Sequence, residues 1–157
     1  MATRDYDAEI GQLFPNREVR KSEPRYFWVE VSAQELRTVV ASVKEKLGIT
    51  HLSTIVGEDM RDHFLLSYPM SGEVVLVLQV KISREKPEIP SLAPVIDGAI
   101  VYERELHDLF GIVPLEHPDL RRQTLPEEWP AGVYPLRKDV VIPRPSLDSA
   151  GGEEKNG

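Results

Sequence analysis

The sequence predicts an α+β fold, in which a mixed or antiparallel sheet of about four strands packs against helices and continues into an extended C-terminal arm. Short runs of aromatic and β-branched residues supply the strands. Two segments with apolar residues at a 3.6-residue period supply the helices. After the second helix, five prolines within residues 112–139 interrupt regular structure, although this stretch still carries bulky apolar side chains.

The N-terminal part is mostly charged or polar around a short apolar group, formed by Ile10, Leu13 and Phe14. This composition predicts a short helix or an extended arm with one small anchor, and a frayed terminus would have the same composition. We therefore divide the chain into an N-terminal arm (1–24), an α+β domain (25–140) with a signature helix and extended arm (99–140), and a C-terminal tail (141–157). The end of the tail has the composition of a disordered segment.

A strand followed by an amphipathic helix is predicted next. Tyr26 to Val31 is rich in aromatic and β-branched residues, as strands are. Ser32 to Glu35 has the capping-box pattern that starts a helix, and Gly48 is placed to end it. One face of this helix is apolar, formed by Leu36, Val39, Val40, Val43 and Leu47.

The middle of the chain predicts one more strand and a hairpin. Residues 51–56 form the strand, and a polar connection follows at 58–62. The hairpin joins 63–70 to 73–84 through a Ser-Gly turn. Its second strand is almost entirely apolar, which is typical of strands that are buried on both faces or covered by a partner.

A second amphipathic helix is predicted from about residue 99. Its apolar face is formed by Tyr102, Leu106, Leu109 and Phe110. Asp97 is placed to cap its start and Gly111 to end it. The remaining positions are almost all charged, which invites either a solvated face or a binding surface.

The composition excludes several classes of function. The chain has no cysteine, which excludes disulfides, thiolate metal sites and iron–sulfur ligation by this chain. Its net charge of −7 argues against nucleic acid as the main partner, because phosphate binding relies on an excess of Lys and Arg. No apolar run approaches the roughly 20 residues of a membrane helix, and the N-terminus is too polar for a signal peptide. We therefore expect other chains to provide any membrane anchor.

Three ordered motifs carry a family resemblance. They are the run ERELHDLFGI at 103–112, the run HPDLRR at 117–122 and the run PLRKD at 135–139. Together they resemble the signature of the thirty-kilodalton subunit of respiratory complex I, which also occurs in membrane-bound nickel–iron hydrogenases. His107 replaces an aromatic residue that is common in the complex I members. His107, the segment 125–130 and Tyr134 resemble the hydrogenase-linked branch more than the complex I members.

The resemblance implies a non-redox structural or assembly subunit of a membrane-bound, complex I-related oxidoreductase of the respiratory hydrogenase type. Its partners would be a large catalytic subunit similar to the hydrogenase large subunit, iron–sulfur subunits of the peripheral part and, indirectly, membrane subunits. The chain would carry no cofactor, because iron–sulfur clusters and a nickel–iron centre would lie in partners that serve electron transport and ion translocation. Its expected place is the cytoplasmic face of the membrane. The alternatives are a subunit of a quinone-linked, NADH-type complex I or another nickel-free relative, and a free-standing metal-dependent enzyme.

The residues that we expect to bind a partner lie on the second helix and the segment after it: Glu103, Arg104, Glu105, His107, Asp108, His117, Asp119, Arg121, Arg122, Trp129, Arg137, Lys138 and Asp139. Other interpretations stay open. The helix face could be solvated, with Arg104 paired to Asp108. Glu103, His107 and His117 could form a metal or catalytic site. His117 to Asp119 could be a capped turn, and the arginines could form an internal lock instead of an interface.

Overall fold

A computed structural model describes residues 4–143, so that the predicted tail lies outside the described residues from residue 144 onward. Three helices are present in the described part: α1 (Tyr6–Leu13), α2 (Leu36–Ser42) and α3 (Ala99–Phe110). The strands there are β1 (Val19–Glu23), β2 (Tyr26–Glu30), β3 (His51–Leu52), β4 (Val56–Asp59), β5 (His63–Ser71), β6 (Val75–Ser83), β7 (Glu88–Pro90) and β8 (Val113–Leu115). The α+β class predicted from the sequence is confirmed.

The main sheet has six strands instead of about four. They run in the order β1-β2-β6-β5-β3, and β4 also pairs with β5. The β2–β6 pair is parallel and the other pairs are antiparallel, so the sheet is mixed. Strands β7 and β8 form a separate parallel pair, and β8 contacts α3. The predicted hairpin is present as β5 and β6.

The core lies on one face of this sheet. Alternate residues of β5 are buried on that face, namely Phe64, Leu66, Tyr68 and Met70. Helix α2 packs its predicted apolar face into the same cluster, with Val39 only half-buried. Helix α2 continues into one π-helical turn, Val43–Leu47. The helix ends at Gly48, which adopts the left-handed conformation (φ +66°). The predicted end of this helix is therefore confirmed.

The predicted start of α2 is wrong in its detail. Ser32 Oγ donates to the Glu35 carboxylate at 2.5 Å instead of bonding a backbone N–H, and Glu35 occupies the capping position without a side-chain cap bond. Arg17 is a second partner of this carboxylate. The side chains of the capping-box pattern therefore bond each other and a neighbouring element, and the helix begins at Leu36.

The single strand predicted at 51–56 is two short strands, β3 and β4, which both pair with β5. Leu52 lies opposite Met70, whereas Val56 lies opposite Ser67. The Ser53 N–H donates to the Pro69 carbonyl at 3.0 Å, but Pro69 has no N–H to return a bond. The ladder breaks there, because three residues separate Leu52 from Val56 while only two separate their partners on β5.

The N-terminal segment belongs to the same folded unit. The predicted short helix is confirmed as α1, and Ile10 and Phe14 enter the main core. Strand β1 was not predicted, because its residues VRKSE are mostly exposed and charged and show no apolar alternation. It pairs with β2 along an edge of the sheet, where Lys21 also forms an ion pair with Asp7 of α1 at 2.6 Å.

Helix α3 lies against β4. Gly98, not Asp97, is its N-cap, and no side chain caps it there. The predicted stop at Gly111 is confirmed by its left-handed conformation (φ +70°). Gly57 on β4 makes the close approach possible, because a Cβ at this position would lie 2.7 Å from Leu106 and 2.8 Å from Phe110. Within residues 4–143, no helix has the length and apolar character that crossing a bilayer requires.

We expect Gly57→Ala to lower the free energy of unfolding by about 1–3 kcal/mol, because the added methyl group overpacks the contact between β4 and α3. The matched control is Gly11→Ala on α1, where a Cβ meets no atom within 4 Å. There the same change removes a poor helix former and should raise stability by about 0.5–1 kcal/mol. Urea denaturation followed by circular dichroism measures both. Equal effects of the two substitutions would contradict the close approach at Gly57.

Candidate partner-binding arm

The segment after β8 has no regular secondary structure, and side chains of α3 hold it in place. We call residues 116–143 the C-terminal arm. Asp108 of α3 accepts hydrogen bonds from three consecutive backbone N–H groups, those of Gln123 (2.9 Å), Thr124 (2.7 Å) and Leu125 (3.2 Å). Burial alone would raise the pKa of Asp108, but these N–H groups lower it below the ordinary value. The ionised carboxylate therefore fixes the middle of the arm to the helix.

Arg104 fixes the start of the arm. Its guanidinium donates to the Asp119 carboxylate at 2.6 Å and to the Asp119 carbonyl at 2.7 Å. The pairing of Arg104 with Asp108 considered from the sequence is wrong, because the Asp108 carboxylate is directed to the backbone of residues 123–125. Arg121 also pairs with Asp119, at 2.9 Å, and remains largely exposed.

Glu103 lies inside the domain, with 2% of its surface exposed. Its carboxylate accepts from the Ser91 hydroxyl at 2.6 Å and from the Leu92 N–H at 2.6 Å. Burial raises its pKa above the ordinary value in spite of these bonds. His117 Nε2 is 3.8 Å away and lies within hydrogen-bond distance of the Ile100 carbonyl. Glu103 thus ties the loop before α3 to the helix and points away from solvent.

The arrangement around His117 also decides its tautomer. The Asp119 N–H donates to His117 Nδ1 at 3.1 Å, so Nε2 carries the proton that the Ile100 carbonyl accepts at 3.1 Å. The turn considered from the sequence is therefore present, with His117 as its acceptor. Among residues 4–143, no group of three or more acidic or histidine side chains is placed to hold a metal ion.

The far end of the arm is held by Arg137. Its Nε donates to the Phe110 carbonyl at 2.7 Å, and its guanidinium lies between the rings of Phe64 (5.2 Å) and Tyr134 (4.6 Å). The Tyr134 ring occupies the space next to Gly111 into which any side chain at that position would project. For Arg137 the internal lock is the arrangement found, since its contacts are made within the domain.

Two residues outside the predicted motifs complete this lock. Asp59 is buried and accepts from the Lys138 N–H at 2.8 Å and the Arg61 N–H at 2.8 Å. Arg84 lies 3.3 Å from Asp59 and 2.8 Å from Asp139. Sequence reasoning missed both, because an acidic residue in a polar stretch and an arginine after a strand carry no periodic signal.

The remaining predicted residues divide between the arm and its surface. Arg122 donates to the Pro126 and Trp129 carbonyls at 2.9 Å each, and Trp129 donates through Nε1 to the Val133 carbonyl at 2.8 Å. His107 is half-buried at the end of α3, with Nδ1 3.0 Å from the Ile112 carbonyl. Glu105, the side chain of Lys138 and Asp139 are exposed. All of the predicted residues thus lie on α3 or on the arm that it holds; their contact with a partner stays a prediction.

Comparison with known proteins identifies the family to which this chain belongs. The family model described as "Respiratory-chain NADH dehydrogenase, 30 Kd subunit" matches residues 29–146. The chain belongs to this family. The resemblance carried by the three sequence motifs is therefore confirmed, and the arm that these motifs build lies within the matched region.

The relatives include subunits of hydrogenase-type and NADH-quinone oxidoreductase complexes. Formate hydrogenlyase subunit 5 of Escherichia coli is 36% identical over 132 residues, which cover 77% of this chain and 23% of that protein. The C/D subunit of the NADH-quinone oxidoreductase of Phocaeicola vulgatus is 33% identical over 116 residues, covering 71% and 22%. An NADH-quinone oxidoreductase subunit of Moorella thermoacetica is 34% identical over 152 residues, covering 92% and 96%. The chain thus spans less than a quarter of two of these relatives and nearly all of the third.

A solved structure shows the same fold. A chain in the membrane-bound sulfane sulfur reductase, an archaeal respiratory membrane complex, superposes with a TM-score of 0.71 over 91% of this chain and 87% of that chain. The two sequences are 19% identical, so the likeness concerns the fold alone.

We expect Asp108→Asn to lower the free energy of unfolding by about 1–3 kcal/mol at pH 7, because a charged acceptor of three N–H groups becomes a neutral one. The pKa of Asp108 is lowered in the folded state, so its contribution is fully present above the unfolded pKa of about 3.9 and is lost as the pH falls through the folded value. The difference between the wild type and the variant should therefore shrink on acidification.

Urea unfolding between pH 7 and pH 3 measures this difference. Asp97→Asn is the matched control, since Asp97 is an exposed carboxylate just before the same helix. A difference for Asp108→Asn that does not change with pH would contradict the assignment.

Proposed function

We propose that this chain is a non-redox assembly subunit of a membrane-bound, complex I-related oxidoreductase of the respiratory hydrogenase type, and that its C-terminal arm binds the large catalytic subunit. Iron–sulfur subunits of the peripheral part are its other neighbours, and membrane subunits hold it indirectly at the cytoplasmic face. Iron–sulfur clusters and a nickel–iron centre belong to these partners. The role of this chain is to present a rigid surface, not to carry electrons.

One observation carries the proposal: most of the large apolar side chains that are exposed in the described residues belong to the arm, to β4 or to the turn after β4. Eight large hydrophobic residues are exposed in the described part of the chain. Five of them lie on β4, just after it or on the arm: Val56, Met60, Leu136, Val141 and Ile142. Clustered exposed apolar surface on a soluble domain is typical of a protein interaction site, whereas single exposed residues are ordinary.

Part of this surface forms a groove, which we call the arm groove. It has a volume of about 250 Å³ and is lined by Val56 of β4, Leu109 of α3 and Leu136 of the arm, with Glu105 at its rim. The Leu136 N–H donates to the Leu109 carbonyl at 3.1 Å, which fixes the two sides of the groove relative to each other. A surface that is ordered before binding loses less conformational entropy when a partner docks.

The length of two relatives supports the proposal that the partner is a large subunit. In the C/D relative of Phocaeicola vulgatus, the region similar to this chain makes up 22% of a longer polypeptide, and in formate hydrogenlyase subunit 5 it makes up 23%. A domain that is covalently joined to another in one protein and separate in a relative is expected to contact that other domain in both. The rest of those longer chains is therefore the model for the partner that the arm binds here.

A quinone-linked complex I is the second candidate host. The observation in its favour is that this chain spans 96% of the NADH-quinone oxidoreductase subunit of Moorella thermoacetica at 34% identity. The nickel content of the purified complex separates the two hosts, because the large subunit of a hydrogenase holds nickel and the quinone-linked relative does not. The free-standing enzyme has no such support, since Glu103 and His117 hydrogen-bond within the domain.

We expect Leu136→Asp to lower the amount of large subunit that co-purifies with the tagged chain from mild-detergent extracts of native membranes by about tenfold or more, because it places a charge in the arm groove. The free energy of unfolding of the isolated chain should change by less than about 0.5 kcal/mol, since the side chain is already 50% exposed.

The matched control is Leu115→Asp, the same change at a leucine that is 40% exposed on β8 and does not line the arm groove. It should leave co-purification unchanged. The proposal is wrong if both variants recover as much of the large subunit as the wild type does, or if the wild-type chain is recovered alone.

A further inference from the structure

The arm contains a second concave feature, distinct from the arm groove. It is a pocket of about 240 Å³ between the last turn of α3 and the arm, which we call the arm pocket. Apolar side chains form part of its walls, namely those of Leu120, Leu125, Trp129, Val133 and Tyr134. Three ionisable side chains line it as well, namely His107, Asp108 and Arg122. The hydrogen bonds that these three side chains already form within the domain decide which ligand the pocket can take.

Asp108 is already used by the fold. Its Oδ2 atom accepts the three N–H groups of residues 123–125, and the residue is 7% exposed. The residue has little surface to offer to a cation. Its burial raises the pKa of the carboxyl, but the three N–H groups and the nearby charge of Arg122 lower it and balance the negative charge.

Arg122 is held in place and forms no direct ion pair, although its charge acts on Asp108 of the same pocket and helps to lower the pKa of that carboxyl. Its Nη1 atom donates to the Pro126 and Trp129 carbonyls. Among residues 4–143, its Nε and Nη2 atoms have no acceptor, and no carboxylate lies within 4 Å of its guanidinium. The neighbouring Arg104 and Arg121 differ, because both pair with Asp119. Arg122 thus offers a positioned pair of donors, the geometry that a carboxylate binds in a bidentate manner.

His107 supplies an acceptor beside these donors. Its Nδ1 atom lies 3.0 Å from the Ile112 carbonyl, and a carbonyl can only accept, so Nδ1 carries the proton. In the neutral ring the Nε2 atom is then an acceptor, and it has no donor among the described residues. The arm pocket therefore combines donors for an anion, an acceptor for an N–H group and two aromatic walls.

We propose that the arm pocket receives an Asp or Glu side chain from a partner protein of the assembly. Its carboxylate binds the Nε and Nη2 donors of Arg122, its aliphatic part packs between Trp129 and Tyr134, and a peptide N–H of the same segment donates to His107 Nε2. The inference rests on the proposed function only in that the chain works inside an assembly. It does not depend on which of the partners provides the acidic residue.

The test uses the intact complex. A photo-crosslinking p-benzoylphenylalanine replaces Ala131, an exposed residue that lines the arm pocket. After illumination, mass spectrometry identifies the crosslinked peptide. We expect a single segment of one partner that contains Asp or Glu. Exchanging that acidic residue for its amide should lower the crosslink yield by about tenfold.

Arg122→Gln should lower the yield by about the same factor, because it removes the charge and keeps N–H donors for the Pro126 and Trp129 carbonyls. Arg20→Gln is the matched control, an equal change at an exposed arginine of β1 outside the arm, and should leave the yield unchanged. Near-ultraviolet circular dichroism of Trp129 shows whether the arm keeps its structure in each variant.

The inference is overturned if position 131 captures no partner, if the captured segment has no acidic residue, or if Arg122→Gln and Arg20→Gln have equal effects. These results are distinguishable from failure of the proposed function. Loss of the large subunit in Leu136→Asp, together with an unchanged crosslink in Arg122→Gln, would keep the assembly role and reject the carboxylate site.

Discussion

The C-terminal arm depends on one constraint: the end of helix α3 must be satisfied by residues that have no secondary structure of their own. The last carbonyls of a helix lack intrahelical partners. Here the Leu109 carbonyl accepts from the Leu136 N–H and the Phe110 carbonyl from Arg137, while Asp108 receives the N–H groups of residues 123–125. Helix and arm therefore supply each other's missing partners. The backbone of the arm is held in place without strands or helices of its own, because α3 supplies hydrogen-bond partners that a neighbouring strand would otherwise supply.

This constraint explains how charged residues divide between stability and binding. Helix α3 carries many charges, yet the most buried of them, Glu103 and Asp108, bond only backbone or hydroxyl groups of this chain. A buried carboxylate is tolerated when N–H and O–H donors compensate for its lost hydration. With these two charges directed inward, the exposed surface of α3 and the arm combines apolar side chains such as Leu136 with exposed charges such as Glu105 and Lys138. An ordered surface of this kind suits a permanent contact between subunits.

Periodicity predicted much of the fold. The hairpin, the face of α2 and the stops at Gly48 and Gly111 are local features, and each has a signal within a few residues. Strand β1 gave no signal because an exposed edge strand needs no apolar face. The break between β3 and β4 depends on Pro69 of a different strand, so local sequence could not show it. The same division holds for the candidate site. Motifs nominated its residues, whose contact with a partner stays a prediction, but local sequence could not show that Arg104 pairs with Asp119 or that Asp59 accepts from Lys138.

The central claim is that the arm and β4 form the surface by which this chain is held in its complex. Hydrogen–deuterium exchange of the chain, alone and within the complex purified from native membranes, tests this most directly. The account predicts that amides of β4, of the last turn of α3 and of residues 116–143 exchange more slowly in the complex, while those of β1 and β2 exchange at the same rate in both. Slower exchange confined to β1 and β2, with no change in the arm, would contradict it.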